Sequence, residues 1–125
     1  MAMLAGDPAQ EYVYASPAQG FAQIALAHAC RALGKHAVIF VAQRKDLHPR
    51  THSAEQAGAK IVSVNPGHLS VVQKRARDYC TETRARLLPF GLDDGEFRSA
   101  LADVARQLPF VPTEVWTVAG SGVLT

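Results

Sequence analysis

Residues 36–42, HAVIFVA, are the segment that most constrains the fold, because six of these seven consecutive residues are apolar. A strand with one face in water alternates polar and apolar side chains, whereas a strand buried on both faces is apolar nearly throughout. The run is too short for a typical helix and is rich in β-branched residues. We therefore expect a strand of a parallel sheet, covered by helices on both faces.

Segments of helical and strand character alternate along the rest of the chain. Helical spacing of apolar residues, often closed by glycine, predicts helices over residues 21–33, 47–57, 69–83 and 96–108. β-prone runs predict strands at residues 11–15, 36–42 and 60–64, a weak strand at 86–89, and a last strand at 114–119. This alternation predicts one α/β domain over residues 1–125: a three-layer, open parallel sheet of four to five strands with right-handed βαβ crossovers, Rossmann-like.

The composition excludes several function classes. A chain of 125 residues with 48% hydrophobic residues can bury one core, and its net charge of +2 gives no basic excess that would favour nucleic acid. Cys30 and Cys80 lack the spacing of a metal site, so we predict buried free thiols and no metal. No apolar stretch is long enough to cross a membrane, and residues 1–10 lack the features of a secretory signal. We expect a cytoplasmic protein.

Two loops with small residues are the best candidates for a ligand site, since ligands of parallel sheets bind at the carboxyl ends of the strands. Each would place backbone N–H groups beside an anion. Neither matches a P-loop or a dinucleotide fingerprint, and a tight turn without a ligand explains each loop equally well. The candidate phosphate- or carboxylate-binding residues are Ser16, Ala18, Gln19, Gly20, Gly120, Ser121 and Gly122.

A basic patch follows the second predicted strand. It consists of Arg44, Lys45, His48 and Arg50 and could pair with phosphate oxygens through charge-assisted hydrogen bonds, with Arg44 and Lys45 as the candidate anion contacts. A solvated loop is the alternative interpretation of the same residues. We assign no catalytic residue, because the chain has no nucleophile elbow and no credible cysteine–histidine pair.

Residues 15–25, ASPAQGFAQIA, resemble the Ser-x-x-Asn-His loop and alanine-rich helix of the fold-type II pyridoxal-phosphate enzymes. This tryptophan synthase β-like family includes threonine dehydratase, D-cysteine desulfhydrase and aminocyclopropane-carboxylate deaminase. Further similarities follow in the family's order, and the last of them resembles its glycine loop for the cofactor phosphate. These further segments are residues 34–41, 58–64, 88–91, 96–108 and 115–122.

The chain departs from the family pattern at the positions that carry its chemistry. Gln19 stands where the family has the asparagine beside the cofactor ring, and Gly20 replaces the following histidine. No lysine precedes Ser16, whereas the family's aldimine lysine lies upstream of this loop. The resemblance therefore implies a truncated or degenerate member that is not a self-sufficient pyridoxal enzyme. Pyridoxal phosphate would bind non-covalently, or a partner chain would supply the amine.

Three functional interpretations remain open from the sequence. The first is a domain that binds a small phosphorylated or carboxylated ligand at the strand-end loops. The second is an assembly module, a homodimer or a subunit of a partner chain, with no small ligand. The third is a part of a longer or multi-chain pyridoxal-phosphate-dependent lyase or deaminase. In the family this region straddles two domains, so we expect the strands either to form one sheet or to leave an exposed edge that favours association.

Overall fold

The computed structural model describes residues 2–117. Four parallel strands form one sheet in the order β3-β2-β1-β4. The strands are β1 (Glu11–Ala15), β2 (His36–Ala42), β3 (Lys60–Val64) and β4 (Arg86–Leu87). The helices are α1 (Ala2–Ala5), α2 (Ala22–Ala32), α3 (Pro49–Gln56), α4 (Leu69–Glu82) and α5 (Gly95–Arg106), and a short 3-10 helix spans Phe90–Leu92. The predicted α/β fold with a parallel sheet is confirmed.

The sheet is covered on both faces, as the apolar run of β2 predicts. Ile39 of β2 faces a cluster formed with α2 and α3, whereas Val38 and Phe40 face a second cluster formed with α4. Strand register explains this division, because β1 and β2 pair residue by residue with side chains alternating between faces. The result is three layers with β1 and β2 at the centre.

The helix ends follow from local sequence. Gly34 ends α2 and Gly58 follows α3, both with positive φ values of 67° and 103°, a conformation that glycine adopts without strain. His48 begins α3, where its Nδ1 accepts a hydrogen bond from the Arg50 N–H at 3.2 Å. Asp94 begins α5 by accepting from the N–H groups of the first turn, at 2.8 Å from that of Glu96.

The fourth and fifth predicted strands differ from the structure. β4 has two residues rather than four, since proline at position 89 has no N–H for the sheet. The last strand predicted at 114–119 is wrong over residues 114–117, which form no strand; residues 118 and 119 lie outside the described residues. β-propensity reflects packing on a neighbouring strand, and the described sheet offers this segment none.

Arg86 connects β4 to two other parts of the molecule. Its guanidinium pairs with Asp7, ahead of β1, and lies 3.8 Å from the carboxylate of Asp94 at the start of α5.

None of the helices within residues 2–117 is long and apolar enough to cross a membrane.

Both cysteines are free thiols, and the predicted burial is confirmed for Cys30 alone. Cys30 on α2 is buried, and Cys80 on α4 is partly buried. Burial raises the pKa of Cys30 to about 11, because the thiolate loses its hydration, and the nearby charge of Lys35 offsets only part of this effect.

The raised pKa of Cys30 predicts a specific pH dependence of stability. An unfolded thiol ionises near pH 8.5, so the unfolded state loses its proton first and stability falls as the pH rises from about 8.5 towards 11. The Cys30→Ala variant lacks this contribution. We expect the free energy of unfolding of the unmodified chain to fall relative to that of Cys30→Ala between about pH 8 and about pH 10. Urea unfolding of both proteins at the two pH values measures this change. A constant difference would contradict the assignment.

Candidate functional site

The loop from Ser16 to Gly20 joins the carboxyl end of β1 to the start of α2, where the sequence predicts a ligand site. The Ser16 N–H donates to the carbonyl of Phe40 at 2.9 Å, so the β1–β2 pairing extends one residue into the loop. The Gly20 N–H donates to the Pro17 carbonyl at 3.0 Å and closes a turn. Both ends of the loop are therefore fixed by backbone hydrogen bonds.

Two buried side chains bind the loop from the inside. Gln23 on α2 donates from Nε2 to the carbonyls of Ala18 and Gly20, each at 2.9 Å. Thr51 on α3 donates from Oγ1 to the same Ala18 carbonyl at 3.3 Å. Gln23 and Thr51 are almost completely buried, so these carbonyl groups point into the protein.

The inward carbonyls determine where the backbone donors point. In a trans peptide the C=O of one residue and the N–H of the next point in opposite directions. The Gln19 and Phe21 N–H groups therefore point away from Gln23. The first N–H groups of α2, including that of Ala22, have no carbonyl partner within the helix and carry the positive end of its dipole. The outer side of the loop thus offers donors and positive potential.

Arg50 brings a positive charge to this loop. Its guanidinium donates to the Gln19 carbonyl, and its Cζ lies 3.7 Å from the centre of the Phe21 ring. An arginine held over an aromatic ring keeps its remaining N–H groups, which lie in the plane of the guanidinium, available for an anion. The guanidinium is thus held at the start of α2 by two separate contacts.

The two basic residues singled out from the sequence lie elsewhere. Arg44 and Lys45 are exposed in the segment between β2 and α3. Within residues 2–117, no hydrogen bond or ion pair connects either side chain to the Ser16–Gly20 loop. Their role as anion contacts stays a prediction.

Gly20 lies so close to its own loop that any side chain at this position would make the Ser16 hydroxyl shift, whereas its backbone angles suit other residues. A Cβ atom at this position would lie 2.9 Å from Ser16 Oγ and 3.3 Å from the Pro17 carbonyl oxygen. The Ser16 hydroxyl itself donates to that carbonyl at 2.7 Å. A histidine at position 20, as in the resembling enzymes, would displace the Ser16 hydroxyl from this hydrogen bond.

Gln23, Thr51 and Arg50 support this loop in the structure. The sequence predicted no role for Gln23 and Thr51, and it predicted Arg50 only as a member of the basic patch after the second strand. One signal was present: Gln23 lies three, four and seven residues before Leu26, Ala27 and Cys30, on the buried face of α2. A glutamine on a buried face needs hydrogen-bond partners. Its Oε1 is buried and has no partner among the described residues. Gln19, by contrast, is exposed.

The described lysines do not provide an amine held beside this loop. Lys35 donates from Nζ to the carbonyls of Leu4 and Asp7, at 2.7 and 2.6 Å, and to the Tyr12 hydroxyl at 3.1 Å. It directly precedes β2 and therefore lies at the amino ends of the strands, whereas the Ser16–Gly20 loop lies at their carboxyl ends.

The other lysines are no better placed. Lys60 is the first residue of β3, at the amino end of that strand, and Lys74 pairs with Asp78 on α4 at 3.0 Å. Lys45 alone follows a strand end, on the exposed segment after β2. Gly120, Ser121 and Gly122 lie outside the described residues. Within residues 2–117, no lysine Nζ donates a hydrogen bond to the Ser16–Gly20 loop.

Comparisons with known proteins agree with this fold. An apo diaminopropionate ammonia lyase of Escherichia coli aligns with a TM-score of 0.66 and 15% identity over 93% of this chain and 34% of the enzyme. An ACC deaminase homologue aligns with a TM-score of 0.67 and 14% identity over 87% of this chain and 36% of that protein. A threonine deaminase from T.th. gives a TM-score of 0.62 and 20% identity, covering 83% and 33% of the two chains.

The chain has the fold found in part of these enzymes. All three belong to the fold-type II pyridoxal-phosphate group, so the resemblance seen in the sequence is confirmed at the level of the fold. The chain spans about a third of the length of the solved structures it matches. No protein-family model matches the sequence, and a search of curated proteins gives no match.

The support of the loop predicts unequal effects for two glutamines. Gln23→Ala removes two hydrogen bonds from buried carbonyls, so we expect the free energy of unfolding to fall by about 1–3 kcal/mol. The control, Gln19→Ala, changes an exposed side chain of the same type and should stay within about 0.5 kcal/mol. Urea unfolding at neutral pH measures both. Equal effects would show that Gln23 does not support the loop.

Proposed function

We propose that this chain binds a small phosphorylated or carboxylated ligand at the Ser16–Gly20 loop. The observation that supports this most directly is the arrangement of the loop carbonyls, which Gln23 and Thr51 bind inside the protein. The loop's outer side is left with N–H donors and the N-terminus of α2, where an anion is stabilised.

Arg50 is the charged partner in this proposal. Its guanidinium is anchored on the Gln19 carbonyl and on the Phe21 ring, so little side-chain entropy is lost when it binds an anion. The exposed Gln19 amide would add a polar contact to the rest of the ligand. Ala18 would contribute through its backbone N–H. Ser16 and Gly20 would shape the loop instead, because their N–H groups donate to the Phe40 and Pro17 carbonyls and the Ser16 hydroxyl donates to Pro17.

The fold shared with pyridoxal-phosphate enzymes suggests that cofactor as one ligand of this class. Since no lysine Nζ within residues 2–117 donates to the loop, we propose that it binds non-covalently through its phosphate, or that a partner chain supplies the amine. The predicted glycine loop at Gly120–Gly122 would form the second half of the site. A role in a longer or multi-chain lyase is compatible with this proposal.

Titration of the chain with inorganic phosphate, acetate and pyridoxal phosphate tests the site. We expect binding by calorimetry that weakens about tenfold in Arg50→Gln, since a charge-assisted hydrogen bond contributes about 1.5–3 kcal/mol. Arg84→Gln removes the same charge from an exposed position far along the chain from the loop and should change the affinity less than twofold. Absence of binding for all three anions, or a larger effect in Arg84→Gln than in Arg50→Gln, would refute the proposal.

Borohydride treatment of the pyridoxal phosphate mixture tests the non-covalent version. We expect no reduced adduct on Lys35, whose Nζ already donates to three acceptors. Mass mapping of a stoichiometric adduct to one lysine would overturn this version and leave the phosphate result unaffected.

A second candidate function, assembly, is supported by the segment after α5. Residues 108–117 present large apolar side chains to solvent, among them Val111 and Trp116, which are 93% and 90% exposed. Side chains of this size are rarely left in water as a group, and such groups mark contacts with other chains. This observation favours a homodimer or a partner chain, as the sequence-based interpretation also allows.

Light scattering and tryptophan emission test the assembly function. Trp116 is the only tryptophan, so its emission reports directly on this segment. We expect a concentration-dependent dimer with blue-shifted emission, and a monomer for Val111→Ser, which removes a neighbouring exposed apolar group without removing the fluorophore. A monomer with solvent-type emission at about millimolar concentration would refute assembly through this segment.

A further inference from the structure

A second cleft opens at the carboxyl ends of the strands, between α4 and the residues after β4. It has a volume of about 220 Å³. Its apolar floor comes from Ala15, the last residue of β1, and from Leu87 and Leu88. None of its lining residues belongs to the Ser16–Gly20 loop, so it does not depend on the function proposed above.

The polar wall of the cleft comes from one face of α4. Gln73 and Arg77 are one helical turn apart and both line the cleft. Within residues 2–117, no carboxylate lies within ion-pair distance of Arg77, whereas Arg86, Arg98 and Arg106 are each paired. An arginine with free donors beside an amide is suited to a planar carboxylate, which it binds through two parallel hydrogen bonds.

The opposite wall is apolar and held in place. Pro89 and the half-exposed Phe90 line it. The Leu88 N–H donates to the Val13 carbonyl at 2.9 Å, and the Gly91 N–H donates to the Tyr14 hydroxyl at 3.2 Å. Both bonds attach this wall to β1, so the cleft is formed before any ligand arrives.

We propose that this cleft binds a small carboxylate with an aromatic or short apolar body, the carboxylate on Arg77 and the body against Phe90. The volume limits the ligand, since pockets for drug-sized molecules measure about 300–1,000 Å³. A single ring or a short chain fits that limit. The cleft lies at the carboxyl ends of two adjacent parallel strands, which is where parallel sheets bind ligands.

The test uses the full ¹⁵N-labelled chain, with benzoate as the probe and benzamide as its neutral counterpart. Benzoate should shift the backbone amides of Leu88, Phe90 and Gly91, and benzamide should bind at least about fivefold more weakly. Arg77→Gln should weaken benzoate binding about tenfold. Arg84→Gln removes the same charge from an exposed position outside the cleft and should leave the affinity within twofold.

Three results would overturn the proposal: no shift at these amides at millimolar benzoate, equal affinities for benzoate and benzamide, or equal effects of the two arginine variants. Shifts confined to residues 18–22 would also overturn it, because benzoate would then occupy the Ser16–Gly20 loop instead. Failure of the loop to bind phosphate leaves these outcomes unchanged, so the two proposals fail separately. Both arginines are exposed, and circular dichroism verifies that the variants remain folded.

Discussion

The pairing of β2 with strands on both sides is the interaction on which the rest of the structure depends. Residues 37–41 of β2 are buried, and they pair with β1 on one side and β3 on the other. A strand with apolar side chains on both faces is stable only when both faces are covered, which places α2 and α3 on one side and α4 on the other. The same strand accepts the Ser16 N–H through Phe40 and so fixes the first residue of the candidate site.

The site is built outward from this core. Thr51 reaches Ala18 only because α3 packs beside α2, and α3 packs there because β2 and β3 are neighbours on the same side of β1. Gln23 then binds two carbonyls of its own preceding loop. These buried hydrogen bonds contribute more to the free energy of unfolding than exposed ones, since an unpaired carbonyl inside the protein costs about 1–3 kcal/mol. The loop is consequently held in one conformation without a ligand.

The sequence predicts the sheet better than the site, for a physical reason. β1, β2 and β3 have the predicted bounds, because burial on both faces imposes an apolar pattern that can be recognised locally. Gly34 ends α2 as predicted, since its positive φ is a local requirement. The contacts of Thr51 and Arg50 with the loop join residues more than 30 positions apart, which no local pattern records. Residues 114–117 show the converse: a β-prone segment forms no strand where no neighbouring strand pairs with it.

The residues at positions 19 and 20 determine which groups of the loop could recognise a ligand. In the family pattern that residues 15–25 resemble, asparagine and histidine correspond to positions 19 and 20. Here a Cβ at position 20 would meet Ser16 Oγ, and the Ser16 hydroxyl is bound to Pro17. The donors that face outward are therefore backbone N–H groups and the Arg50 guanidinium, which recognise negative charge and planar oxygen geometry rather than the shape of the whole ligand. In the proposed site, selection among anions would come from neighbouring surfaces, such as the exposed Gln19 amide beside the loop.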